Sequence, residues 1–329
     1  MACLLCSLAG CASEPQATDM TAVHKNVADT KPTSPDAAEP MPPTAAGASA
    51  PTPVTPPEGF LADAGDGWQT LVVGSWEIPA QQETYRCVRF TLPKNIAVGS
   101  FRALSPIGTH HTLLTIADST GMPDGFSTCD AGTNGTQEIA GSGVGTNDFS
   151  MPEGVAVELK AGQQLILNLH LFNVTDEPIR GTSGTLIKLV ADKDIKQRAE
   201  GVLAGTISLD LPAGEMSTMH GTCTLQDDVT LFAATPHMHQ LGTYLKAVAH
   251  SSVSGDVVLH AGPYRFDEQR IYSLDDQVQM KAGDTLDVDC TYLNTTDQTV
   301  KFGNSSKAEM CFAGVYWYPA MGHQFVCIK

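Results

Sequence analysis

The feature that most constrains the fold of this chain is an ungapped internal repeat. Leu159-Lys160-Ala161-Gly162 leads through Leu165 and Leu167 to Asn173-Val174-Thr175-Asp176. A second copy, 121 residues on, runs from Met280-Lys281-Ala282-Gly283 through Leu286 and Val288 to Asn294-Thr295-Thr296-Asp297. In both, a Lys-Ala-Gly turn feeds an alternating strand that ends in an Asn/Thr/Asp turn. Arg86-Cys87-Val88-Arg89-Phe90-Thr91-Leu92 and Thr206-Ile207-Ser208-Leu209-Asp210-Leu211 alternate in the same way. Gly, Pro, Asn and Asp interrupt such runs every ten or so positions, and no long stretch carries a helical apolar period with caps. The pattern predicts an all-β chain of sandwiches or barrels. The repeat predicts two β domains of similar plan, 59–200 and 201–329.

The segment ahead of them has a different composition. Residues 12–58 are rich in Pro, Ala, Thr, Ser and Gly and hold half of the chain's 20 prolines. Too little apolar surface is present to offset the entropy of ordering, so this stretch is expected to be a disordered linker. Leu8-Ala9-Gly10-Cys11 closes a short apolar run and resembles a bacterial lipobox, although no Lys or Arg precedes the run. Residues 1–11 are therefore expected to be a lipoprotein signal-like segment, with Cys11 lipidated and the protein exported and lipid-anchored in a bacterial cell envelope. The lipid would be its only membrane contact, since no other stretch approaches the ~18 apolar residues that span a bilayer. A net charge of -17 argues against binding nucleic acid through a basic patch. Cys87, Cys129, Cys223, Cys290, Cys311 and Cys327 lack CxxC spacing, and in an exported protein they suggest disulfides of open connectivity.

Six side chains carry the candidate chemistry: His110, His111, His170, His237, His239 and Met310. His237 and His239, two apart after Val229-Thr230-Leu231-Phe232-Ala233-Ala234, share a face if they sit on one strand. Adjacent His110 and His111 point to opposite faces of a regular strand and can meet one ion only at a strand end or bulge, which Gly108 makes plausible. Leu165, Leu167, Leu169 and Leu171 form one face of their strand, which places His170 and Asn168 on the other. Met310 precedes Cys311, which can pair with Cys290 on the repeated strand. Five imidazoles suit several first-row metals, and the added thioether favours copper, Cu(I) above all. Each of these residues alone is more ordinary as a structural histidine or core methionine.

Together, an HHxLL doublet, a strand histidine about sixty residues later, an HxHxLG and a downstream EMC resemble the copper type II, ascorbate-dependent monooxygenases, the peptidylglycine α-hydroxylating and dopamine β-monooxygenase family. The resemblance spans residues 60–329 and keeps all six donors in order. It implies two tandem jelly-roll β-sandwiches behind the linker. The first holds an electron-transfer copper on His110, His111 and His170, and the second a dioxygen-binding copper on His237, His239 and Met310. It also implies Cys223–Cys327 and Cys290–Cys311 disulfides, and Cys87 and Cys129, whose usual partners are missing, are left to pair with each other. No further cofactor-binding residue is expected.

The resemblance has departures. In the peptide-hydroxylating members an arginine stands two residues before the first HxH histidine and a tyrosine four after the methionine; these positions are Thr235 and Gly314 here. A family glutamine is Asn168. The anchors for an anionic peptide are gone, so peptide hydroxylation is not carried over. His24, His220, His250, His260 and His323 match no motif, with His220 the candidate for an extra polar contact.

The favoured function is hydroxylation of a C–H bond in a small organic substrate by O2, with catalytic His237, His239 and Met310, two copper ions cycling between Cu(I) and Cu(II), and ascorbate or another one-electron donor. The alternatives are an exported copper-binding or copper-delivery lipoprotein without turnover, and a structural β-sandwich with occasional metal.

Overall fold

The computed structural model describes residues 59–329 except 119, 130–135, 144–145, 267, 269, 304–306, 323–325 and 329. The expected signal segment, the lipidation at Cys11 and the linker lie outside the described residues. Among the described residues the chain is all-β, its one helical element a 3-10 turn over Asp192–Asp194. None of their helices is long and apolar enough to cross a membrane.

Four main sheets divide along the chain. The first half pairs Asp63–Gly65, Trp68–Ile78, Ile179–Leu189, Ile96–Leu104, Val155–Leu159 and Gln197–Arg198 in that order, with Phe149–Ser150 added on Ile96–Leu104. Its other sheet runs Gly125–Thr128, Gln82–Thr91, Gln164–Asn173, Thr109–Ala117, Gln137–Gly143. The second half has Tyr272–Met280, Val229–His237, Cys311–Tyr318, Glu200–Thr206 and Val326–Ile328 in one sheet. Its other sheet has Met216–Thr224, Thr285–Leu293, Gly242–Ser251 and Gly255–Pro263. Leu165, Leu167, Leu169 and Leu171 are all fully buried in the first core, as their alternation requires. Truncating any of them to Ala would cost about 2–5 kcal/mol.

The repeat is built from the same bonds twice. Gly162 and Gly283 adopt φ +87° and +93°, a left-handed turn conformation that glycine takes without strain. Their N–H groups bond back to the carbonyls of Leu92 and Leu225, each at 2.9 Å. At the far end Asn173 donates to the Glu177 carbonyl (2.9 Å) and accepts from the Thr175 N–H (2.9 Å). Asn294 does the same with the Gln298 carbonyl (2.9 Å) and the Thr296 N–H (3.0 Å). These buried asparagines replace ladder bonds that end with the strand.

Disulfides close Cys87–Cys129, Cys223–Cys327 and Cys290–Cys311. Cys223–Cys327 spans 104 residues, worth about 4–5 kcal/mol on a chain-entropy account.

The two halves meet through apolar side chains. In the strand Val229–His237 the register slips between Leu231 and Ala233. As a result Leu231 and Ala234 fill the second core, whereas Phe232 and Ala233 join the first. Phe149 packs on Tyr316, with ring centroids 5.0 Å apart, and stacks on Phe232 at 6.4 Å. Beside this contact lies Glu138, which keeps a little accessible surface but is packed round by protein. Burial pushes its carboxyl up to about 7, and its charge adds to the burial that raises the Tyr316 phenol. A carboxyl raised in the native state prefers its proton there. Its contribution to stability is greatest below about pH 4.5, falls as pH rises to about 7 and is flat above. Glu138→Gln is accordingly expected to match the wild type at pH 5 and to exceed it by about 1–3 kcal/mol at pH 8 in urea unfolding. Parallel pH profiles for the two proteins would show that Glu138 is charged in the native state.

Candidate metal centre

The first donor set forms where two central strands pair. His170 on Gln164–Asn173 stands opposite His111 on Thr109–Ala117, but the next residue, Leu171, stands opposite Thr109. His110 is thus the extra residue of a bulge, which rotates it onto the side of His111. Gly108, at φ +98°, makes the bend possible, and a Cβ there would strike Ile179 and Trp76 at 2.6 and 2.8 Å. The three rings converge through like atoms. His111 Nδ1 lies 3.1 Å from His110 Nδ1 and 3.2 Å from His170 Nδ1. Among the described residues this is the His/Cys/Asp/Glu group whose ligand atoms gather within 4.8 Å. Such spacing is that of donors around one ion at about 2 Å.

The environment keeps the nitrogens as donors. Burial pushes the His111 imidazole well below its ordinary value, and positive charge on His170, His110, His237 or His239 would push it further. His170 is lowered by burial, against an opposing hydrogen bond to Glu83. Its Nε2–H donates to Glu83 Oε1 at 2.5 Å, leaving Nδ1 with the free lone pair, and Tyr85 stacks on the ring at 4.3 Å. A carboxylate behind a ligating imidazole fixes its tautomer and raises its basicity. Convergent ring nitrogens on buried His170 and half-buried His110 and His111 fit a metal cation.

The second set is assembled differently from the strand pair expected. Ladder pairing ends at His237, opposite Phe312, and His239 lies beyond the strand. The reason is Glu309, which is fully buried and accepts the N–H of His239 (2.8 Å), Leu241 (2.7 Å) and Met310 (3.3 Å). Its carboxylate replaces the ladder, and burial raises its pKa to about 7 against these three donors. His239 Nδ1–H donates to the Ala308 carbonyl at 3.0 Å, which makes Nε2 the candidate ligand atom. The His237 and His239 rings stand 5.6 Å apart and nearly perpendicular. Met310, half-buried, follows Glu309 directly, and its carbonyl accepts the Tyr292 hydroxyl at 2.6 Å. Tyr264 ties the connecting residue down by donating to the Met238 carbonyl at 2.5 Å. Two imidazoles and the thioether segment thus share one end of the sheet, a donor set that fits a soft ion.

Thr235 and Gly314 pair directly across the same sheet. A Cβ at 314 would meet the Thr235 methyl at 2.6 Å, so a side chain at 314 is excluded while Thr235 stands there. His220 bonds Asp289 (2.8 Å) and Thr222 (3.1 Å) on an exposed face. His250 pairs with Asp256 and Asp287, also at the surface. His260 packs on Tyr272 at 5.0 Å; His24 and His323 lie outside the described residues. Glu83, Tyr85 and Tyr264 escaped the sequence reading because each reaches its histidine segment only through the folded pairing. Glu309 sat in view within the EMC triplet.

Residues 201–329 match the C-terminal domain of the copper type II ascorbate-dependent monooxygenases. The chain is 25% identical over 281 residues to a human protein named putative DBH-like monooxygenase protein 2, covering 76% of this chain and 56% of that one. It is 26% identical over 282 residues to the mouse DBH-like monooxygenase protein 2, covering 76% and 45%. The chain spans about half the length of these relatives.

Proposed function

Because the chain belongs to the copper type II, ascorbate-dependent monooxygenase family, we propose that it hydroxylates a C–H bond of a small organic substrate at two copper ions. The overall reaction is RH + O2 + 2 electrons + 2 protons giving ROH + H2O, with ascorbate or another one-electron donor supplying the electrons. Bound at the two donor sets, copper would supply the one-electron steps and the activation of O2. The observation that carries the reading is the convergence of three imidazole Nδ1 atoms at 3.1 and 3.2 Å with a second imidazole pair acting on the same buried ring.

The residues of the chain have defined work in this scheme. His110, His111 and His170 hold one ion, with Glu83 fixing the tautomer of His170. His237, His239 and Met310 hold the other, with the Ala308 carbonyl and Glu309 setting the position of His239. The thioether favours the reduced ion, the form able to meet O2. Thr235 and Gly314 offer no cation for a substrate carboxylate, which supports a neutral or amine-bearing substrate. Three disulfides and the Leu8-Ala9-Gly10-Cys11 sequence support an exported protein anchored through a lipid on Cys11.

The test is oxygen uptake by copper-loaded protein with ascorbate against neutral and amine-bearing aromatics. Substrate-stimulated uptake with two coppers per chain is the expected result. Two tightly held coppers without stimulated uptake would favour copper storage or delivery instead. In the same assay His170→Ala should lower turnover by more than about 100-fold, beyond the loss typical of a supporting residue. Copper at the second set should remain, as reported by copper counting.

A further inference from the structure

We infer that Phe266 is the spacer that sets the separation of the two donor sets. The inference rests on both sets binding copper, as proposed above. Phe266 belongs to the second half of the chain, three residues beyond the strand Gly255–Pro263. Its ring centroid lies 5.6 Å from that of His110 and 6.3 Å from that of His111, both on the first half. It also lies 6.2 Å from the ring of His239, on its own half. Among the described ring contacts it is the one side chain that packs on imidazoles of both sets. The His110 and His239 rings are therefore no more than about 12 Å apart, with an apolar ring touching each.

Phe266 is held from both directions. Two residues before it, buried Tyr264 donates its N–H to the Thr243 carbonyl at 2.9 Å and its hydroxyl to the Met238 carbonyl, between the two ligand histidines. Five residues after it, Ile271 buries its side chain in the core of the first half, and its carbonyl accepts from Asn147 Nδ2 at 3.4 Å. Tyr264 is thus tied to the second donor set, and Ile271 to the core of the first half. A half-buried phenylalanine at that point has no polar atom of its own to satisfy. What it contributes is a rigid volume of fixed thickness against three imidazoles, with few rotatable bonds. Metal ligands need geometry held within about half an ångström, and a packed aromatic supplies this across a junction that neither half controls alone.

The test uses the full chain loaded with Cu(II), with Phe266→Ala and Phe266→Trp beside the wild type. Copper per chain is counted, and the copper–copper distance and its spread are read from the dipolar broadening of the continuous-wave electron paramagnetic resonance spectrum, which suits so short a separation. All three proteins are expected to hold two coppers. The alanine variant should roughly double the width of the distribution, because the void lets the halves approach and rock. Tryptophan should lengthen the mean on the order of 1 Å by overpacking the gap. Wild-type mean and width in the folded variants would overturn the spacer role, and tryptophan alone decides the matter if alanine fails to fold. Fewer than two coppers in the wild type would overturn the two-copper reading and this inference together.

Discussion

Met310→Ile is expected to abolish hydroxylation while leaving the fold and the first copper intact. Isoleucine roughly conserves volume and apolarity, so the packing cost should stay below about 1.5 kcal/mol. What disappears is the one soft donor, which the proposed second centre uses to favour Cu(I). Turnover should fall by more than about 100-fold, above the range seen when only a supporting group is lost. Thermal unfolding, copper counting and oxygen uptake on the same preparation separate these effects, and X-ray absorption of the reduced protein should lose its copper–sulfur distance. Wild-type turnover in this variant would remove Met310 from the site. Its segment makes that outcome hard to reconcile with the geometry, since Ala308 and Glu309 both bond to His239.

Glu309→Ala should produce the largest loss of stability. It leaves three backbone N–H groups, the buried one of His239 and the part-buried ones of Leu241 and Met310, without their acceptor. Each costs about 1–3 kcal/mol if left unmade. Allowing for local relaxation, a net loss of about 3–5 kcal/mol is expected, roughly 10 °C in melting temperature for a chain of this size. Glu309→Gln keeps one acceptor oxygen and should fall between the alanine variant and the wild type. Copper at His110, His111 and His170 should persist in both variants, whereas affinity at the second set should decline in the same order as stability. A stable alanine variant with normal copper content would mean that water takes over the three N–H groups and that the carboxylate positions nothing.

What could be read from the sequence depended on how local the deciding interaction is. The leucine face of Gln164–Asn173 follows from alternation alone, and the turns flanking it from Gly162 and Asn173, all within one stretch of chain. The bulge that brings His110 beside His111 was legible because Gly108 stands two residues before it. The sequence implied a regular strand through His239, and the structure breaks it there. The competing acceptor, Glu309, lies 70 residues away in sequence and is seen as such only once the two strands pair. Glu83 behind His170 depends on a register across 87 residues, and Phe266 on contact between halves. No periodicity reports on either. Copper chemistry was legible from donor types, whereas the supporting bonds needed coordinates.

The duplicated Lys-Ala-Gly strands carry one further consequence. His170 lies on the first of them, and its counterpart 121 residues later, Thr291, only bonds Thr218 across the sheet. The second half instead places its histidine pair at the end of its other sheet, His237 on the last rung and His239 just past it. Copies that joined through equivalent faces would make an isologous pair with two identical centres. Two halves held together by one continuous chain are free of that symmetry, and their two donor sets differ. Under the two-copper proposal, each could change its redox character without altering the other, a division of labour that no symmetric dimer of a single half could reach.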